Sequence, residues 1–295
     1  PQIQYENVPF PNLPKDKDST LDLVEILQPT VQLKDVALSE KAQDTIQEIV
    51  EEQNINTIIL AEYKDSVDDL IQHLFQKGIL MHPYITLGCD RITMLGTNEN
   101  VFPSRQDTYY TMQIVEKDFL LCAVHLPSRL HADPSTQLMK SHSIAYDIEL
   151  AEKESGSLES IVVGDFNQNP YDHGCLGATG FHSIPVAAET KRLSRKILGE
   201  DRKMFYNPMW NLLGDFQYPP GTYYYKSSQE KTEFWNIFDQ VMIRPQLRNR
   251  FVDTSLKIIT ETETTSLVDK NRHPSKKISD HLPIVFEVKE NNHEL

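Results

Sequence analysis

The sequence predicts an α/β sandwich or layered fold. Two observations carry that expectation: seven short apolar, β-branched runs that read as buried strands, and a few helical stretches set between them. The chain has 295 residues, 39% of them hydrophobic, with 12 Tyr and 12 Phe, which is ample for a large core. No Gly/Ser- or Pro-rich linker interrupts the middle and no repeat is visible, so 1–295 is read as one domain.

Taken in order, residues 1–38 read as an irregular N-terminal segment, broken by Pro9, Pro11, Pro14 and Pro29. Ser39 reads as a helix N-cap with Glu40 in the first turn, and Ala42, Ile46, Ile49 and Val50 recur on one face. Strands are predicted at Thr57–Leu60, Arg91–Leu95, Tyr109–Val115, Phe119–Val124, Ile161–Val163, Phe238–Ile243 and Ile284–Val288. A second helix is predicted over about Ser135 to Lys153, with Leu138, Ala145, Ile148 and Ala151 on one side.

Charge is unevenly spread. Residues 1–160 hold 12 Lys+Arg and 26 Asp+Glu, a balance of −14, whereas residues 161–295 hold 17 of each. A globally basic surface of the kind that grips long nucleic acid is therefore missing. Two local basic stretches stand out, Lys191–Lys196 and the run around Arg272, Lys276 and Lys277, read equally as solvated surface or substrate contact. No apolar stretch approaches bilayer length. Cys89, Cys122 and Cys175 cannot all pair and form no disulfide framework, which favours a reducing, cytoplasmic setting. The chain opens on Pro1 rather than Met, which leaves room for a removed leader and for secretion.

The chemistry clusters at strand ends. Ile58-Ile59-Leu60 leads to Glu62, the run Leu120–Val124 to His125, and Ile161-Val162-Val163 to Gly164-Asp165-Phe166-Asn167. In two other strands the order reverses: Asp239 opens Gln240–Ile243, and Asp280-His281 precedes Leu282–Phe286. If three strands run toward one rim and two run away, all these polar groups meet there. Glu62, Asp165 and Asp280 are hard oxygen ligands suited to Mg²⁺, Mn²⁺ or Ca²⁺. Asp165 and Asn167, two apart, would share a face in an extended segment, one activating water and the other orienting phosphate. Asp239 is placed to hold the His281 tautomer and raise its pKa. Taken singly, each has a plainer reading: Glu62 a solvated strand end, His125 a satisfied core histidine, and Asp239, Asp280 and the Gly-Asp-Phe-Asn segment ordinary turns.

Leu60-Ala61-Glu62, Ala123–Ser128, Val162–Asn167, Phe238–Ile243 and Ser279–Ile284, in this order, resemble the endonuclease/exonuclease/phosphatase superfamily with its deoxyribonuclease I-like fold. Gly221–Tyr225 ahead of Trp235-Asn236 looks like its bacterial members. The resemblance implies a four-layer α/β sandwich, two mixed sheets packed face to face and flanked by helices. It implies Glu62 as metal ligand with Asp280 nearby or sharing, Asp165 activating water, and Asn167 positioning water or phosphate. It also implies His281 on the scissile phosphate, oriented by Asp239, with His125 a second phosphate contact or the leaving-group acid. The first strand of the family normally ends in an Asn ligand. The one candidate is Asn7, far upstream, against an ordinary polar terminus. The activity expected is Mg²⁺-dependent (Mn²⁺ or Ca²⁺ as substitutes) hydrolysis of a phosphate ester, with nucleic acid, DNA or RNA, as substrate and partner. A small-molecule or lipid phosphate is the alternative, and a non-catalytic binding module of the same fold comes third.

Overall fold

The computed structural model describes residues 20–27, 36–156, 159–228 and 230–289. The elements that position the site run as β1 (Thr20–Leu27), α1 (Val36–Gln53), β2 (Thr57–Ala61), α2 (Val67–Gln76), β3 (His82–Pro83), β4 (Ile92–Gly96), β5 (Val101–Asp107), β6 (Tyr110–Val115), β7 (Phe119–His125), α3 (Pro134–Ser155) and β8 (Ser160–Asp165). The second half adds β9 (Ser183–Ile184), β10 (Ser194–Ile197), β11 (Glu200–Lys203), β12 (Phe205–Tyr206), β13 (Tyr223–Tyr224), β14 (Trp235–Asn236), β15 (Asp239–Ile243), β16 (Lys257–Ile258) and β17 (Ile284–Lys289).

One sheet has six strands in the order β16-β17-β1-β2-β4-β3, and the other seven, β5-β6-β7-β8-β15-β12-β9. Both are mixed: β1 lies parallel to β2, and β7 parallel to β8, among antiparallel neighbours. Strand alternation explains how they stack. Ile59 and Met94 from the first sheet and Leu121, Ala123, Ile161 and Val163 from the second fill one cluster between the sheets. The alternate residues Ile58, Leu60 and Leu95 pack outward on Ile46, Ile49, Leu70 and Leu74 of α1 and α2. Leu120, Cys122, Val124 and Val162 pack outward on Ile144, Ile148 and Ala151 of α3. Helices, sheet, sheet and helix make the expected four layers. The side chains of Val162 and Val163 point to opposite faces and both are fully buried, so the uninterrupted apolar run reflects a strand covered on both sides.

All seven predicted strands and the helix of residues 134–155 form at nearly the expected bounds. The N-terminal segment differs from expectation. Residues 20–27 are not irregular: they form β1, paired with β17 on one side and β2 on the other. α1 begins at Val36, so Ser39 lies inside the helix rather than at its cap; Val36, Ala37 and Leu38 carry nothing that stops the helix a turn earlier. Helix α2 was not anticipated. Its start is set by Ser66, whose side chain accepts from the Asp69 amide at 3.1 Å, with Asp68 and Asp69 in the positive first turn. Asn7 lies outside the described residues.

At the rear ends of β8 and β15 sits a buried ion network. Glu152 of α3 accepts from Ser160 Oγ at 2.7 Å, Arg244 Nε at 2.6 Å and Lys203 Nζ at 3.0 Å. Glu152 and Arg244 are almost wholly buried.

Candidate active site

Register brings the front groups together. His125 on β7 lies opposite Asp165 on β8, and Asp165 lies opposite Asp239 on β15. The ladder runs on past the strands: Leu126 N donates to Asp165 O at 2.8 Å and Phe166 N to Phe238 O at 2.8 Å. Gly164 makes the approach of β7 and β8 possible; a Cβ there would fall 1.9 Å from Val124 O, and its φ is +145°. On the facing sheet β2 and β1 run toward the same rim, and antiparallel β17 starts from it, so Glu62 and Asp280-His281 converge from that side. Of the five strands that carry the site residues, three run in and two run out.

His281 Nδ1 lies 2.9 and 3.2 Å from the two oxygens of Asp239. The Asp239 amide is steered by Thr222, whose Oγ1 accepts from Phe238 N at 3.2 Å and Asp239 N at 3.3 Å. Asn167 Nδ2 donates to Asp165 Oδ2 at 2.7 Å and to Leu126 O at 2.9 Å. The Asn167 amide also donates to Asp165 Oδ1 at 2.7 Å. Asn167 has φ 48°, so the two side chains meet in a left-handed turn rather than through the expected extended alternation. His125 Nε2 lies 3.5 Å from Asp165 Oδ2, and its Nδ1 is 3.8 Å from Glu62 Oε1. Glu62, also left-handed at φ 49°, is half-buried and paired with Arg91 at 3.2 Å.

The two histidines are tuned in opposite directions. Burial lowers His125 to about 3, helped by the charges of Arg91 and His281, so it is neutral. Burial also opposes charge on His281, but the Asp239 carboxylate, with help from Asp165 and Asp280, outweighs it and raises the imidazole to about 9. At neutral pH His281 is therefore a cation. Burial pushes Asp165 up to about 8 against the pull of His281, with Asp239 and Asp280 adding repulsion. Asp280 is half-buried at the same rim, close enough for its charge to act on Asp165 and His281.

Ligand atoms of Asp165, Asp239 and His281 lie within 4.8 Å of one another. The Asp239–His281 hydrogen bond already occupies two of them, so the more open Glu62, with Asp280, is the better place for an ion. Glu62, Asp239 and Asp280, together with Asp165, which burial holds toward its protonated form, set the carboxyl oxygens of four residues around two cations, Arg91 and protonated His281. A surplus of carboxylate oxygens at one rim fits a hard divalent ion.

Sequence reasoning missed Arg91, Thr222 and Tyr223, whose ring packs on His281 with centroids 4.6 Å apart. Tyr223 fell within the segment Gly221–Tyr225 singled out above, whereas Arg91 lay at a predicted strand start without a motif to mark it. Asn169 and Asn236 were also missed; they are joined by a 2.8 Å hydrogen bond that locks the turn before Asp239.

No family model matches the sequence, and no curated protein matches it. Among solved structures, an endonuclease/exonuclease/phosphatase family protein from Bacteroides thetaiotaomicron superposes with a TM-score of 0.56 at 12% identity, over 94% of this chain and 100% of that one. Truncated TDP2 of Caenorhabditis elegans gives 0.53 at 14% identity, over 92% and 98% of the two chains. An AP endonuclease from Archaeoglobus fulgidus gives 0.52 at 10% identity, over 92% and 100%. The chain has the endonuclease/exonuclease/phosphatase, deoxyribonuclease I-like fold. In that fold the rim described above, where the edges of the two sheets meet, carries every site residue inferred from the sequence that lies among the described residues. The structure brings together Glu62, His125, Asp165, Asn167, Asp239, Asp280 and His281 and leaves none of these seven elsewhere.

Proposed function

We propose that the chain is a metal-dependent phosphoesterase that cuts phosphodiester bonds, with nucleic acid as its substrate. The observation that carries this reading is the pair of differently charged histidines on one rim, each beside a buried aspartate: His281 on Asp239 at 2.9 Å and His125 near Asp165 at 3.5 Å. Protonated His281 supplies a buried positive donor for a phosphate oxygen, and Asp239 fixes its tautomer so that Nε2 faces the substrate. Asp165 accepts the proton of the attacking water, and Asn167 orients that water or the phosphate. Neutral His125 suits a hydrogen-bond contact to the phosphate better than the role of leaving-group acid, because its basicity is so low. Glu62 and Asp280 would hold the Mg²⁺, or Mn²⁺ or Ca²⁺ in its place. When bound, such an ion neutralises phosphate charge.

A zebrafish TDP2 of the same fold, 14% identical with a TM-score of 0.52, was crystallised with a single-strand DNA product, which supports the choice of nucleic acid. The competing substrate, a small or lipid phosphate ester, draws support from the net charge of −14. A binding module without turnover is opposed by the presence of Asp165, Asn167, Asp239, Asp280 and His281 together at one rim. No helix among the described residues is long and apolar enough to cross a membrane. The test is purified protein with Mg²⁺ on plasmid DNA, oligonucleotides, RNA and a panel of small phosphate esters, beside Asp165→Ala. Cleavage of nucleic acid lost in the variant is the expected result. Turnover of small esters alone would shift the substrate, and equal rates in both proteins would overturn the enzyme reading.

A further inference from the structure

Beyond the reacting groups, an aromatic track leads away from His281. Its first step is Tyr223, packed on His281 and stacked on Phe238 at 5.2 Å. Tyr224 follows, stacked on His273 at 3.5 Å and 8° and lying 6.5 Å from Phe234 at 20°. Next to His273, Arg272 lies over the ring of Tyr218 at 3.6 Å, and Tyr218 Oη donates to Arg272 O at 2.8 Å. These contacts connect one surface from the site out to Tyr218. Along it, large rings stand in solvent: Phe216, Tyr218, Tyr225 and Phe234 are 104%, 39%, 54% and 43% exposed. Tyr218 has one face under Arg272 and Phe234 one toward Tyr224, yet all four outer rings keep solvent-exposed surface to offer.

Cations recur along the segments that carry the track: Lys226, Lys231, Lys270, Arg272, Lys276 and Lys277 are all exposed. Solvent-facing rings interleaved with cations match unpaired bases on a phosphate backbone, because every base has a face to stack and every linkage a charge. A duplex keeps its base faces stacked on each other and cannot use the rings.

We propose that this surface binds single-stranded nucleic acid, DNA or RNA, stacking the bases that flank the scissile phosphate on Phe216, Tyr218, Tyr225 and Phe234. The inference rests on the phosphoesterase reading and names its substrate class. It tells a strand-end or loop-directed enzyme from one that reads double helix.

The test is fluorescence anisotropy in EDTA with the full chain and labelled oligo-dT, oligo-U and blunt duplex, each about 12 nucleotides or base pairs long. Either single strand should bind at least about tenfold more tightly than duplex. The triple variant Phe216→Ser/Tyr225→Ser/Phe234→Ser should lose at least about tenfold in single-strand affinity while its circular dichroism spectrum stays that of the wild type. Lys276→Ala/Lys277→Ala should flatten the slope of log affinity against log salt by about 0.7 per lysine, which keeps the test intact should the triple variant misfold. Equal binding of duplex and single strands, or unchanged affinity in a folded triple variant, overturns the proposal. Turnover of bis-nitrophenyl phosphate by wild type with Mg²⁺ is read alongside. Turnover without strand preference defeats the track alone, and strand preference without turnover defeats the enzyme reading alone.

Discussion

Strands β8 and β15 carry a buried charged network at each end, and the two networks are built to opposite plans. At the rear, one carboxylate, Glu152, receives hydrogen bonds from Ser160, Arg244 and Lys203, so each buried charge has a partner of the other sign. At the front, two buried carboxylates, Asp165 and Asp239, share one cationic imidazole, while the second imidazole stays neutral. The rear has its carboxylate met by cations, whereas the front holds in Asp165 a carboxyl that burial and its acidic neighbours push toward the protonated form. A closed network fixes structure, and an open one has affinity and reactivity to spare.

The largest effect expected from this contrast is on turnover. Asp165→Ala should lower kcat by about 10³-fold or more with little loss of stability, because it removes a group whose burial is costly as well as the proposed water-activating base. Glu152→Gln should do the reverse. It strands a buried Arg244 and should cost about 3 kcal/mol in urea denaturation while leaving the front chemistry in place. A stable Glu152→Gln protein would break the comparison.

Glu62→Gln comes next. It should weaken Mn²⁺ binding, read by electron paramagnetic resonance of free Mn²⁺, by about 10- to 100-fold; unchanged binding would move the ion onto the inner aspartates.

The smallest effect is a pH dependence of stability, measured without metal. His281 has its folded pKa raised from 6.5 to about 9, so its contribution is complete below the lower value and is lost as pH rises through the higher. Asp165, raised from 3.8 to about 8, favours the protonated folded form and acts in the same direction. The urea midpoint should therefore fall between pH 7 and about 9.5, and fall less steeply in His281→Gln. Identical slopes in the two proteins would mean that the front network does not govern it.

Much of this arrangement was legible in the sequence because the informative residues are tied to strand ends. Apolar runs such as Ile161-Val162-Val163 announce a strand buried on both faces, and the polar residue that follows must emerge at a rim. That is why Asp165, His125 and Asp239 could be placed together before any register was known. What stayed hidden depends on partners distant in sequence. Arg91 matters because its side chain reaches Glu62 across 29 positions, and no local pattern signals such a contact. Tyr223 acquires its place through a single bridge to His281. At Gly164–Asn167 the plain reading, a turn, and the functional pairing hold at once: the left-handed turn at Asn167 is what brings its amide onto Asp165. Strand β1 was obscured by the prolines on either side of it, although Leu21, Leu23 and Val24 set among acids carry a strand-like sequence.

Strand β1 has one more implication. In its sheet it is the sole rung between β17, which delivers His281, and β2, which delivers Glu62. Pulling it out would not merely fray an edge; it would unzip the sheet down its middle and let Glu62 drift from Asp280 and His281. A stretch of eight residues that supplies none of the site side chains named above thus works as a tie-bar between Glu62 and His281.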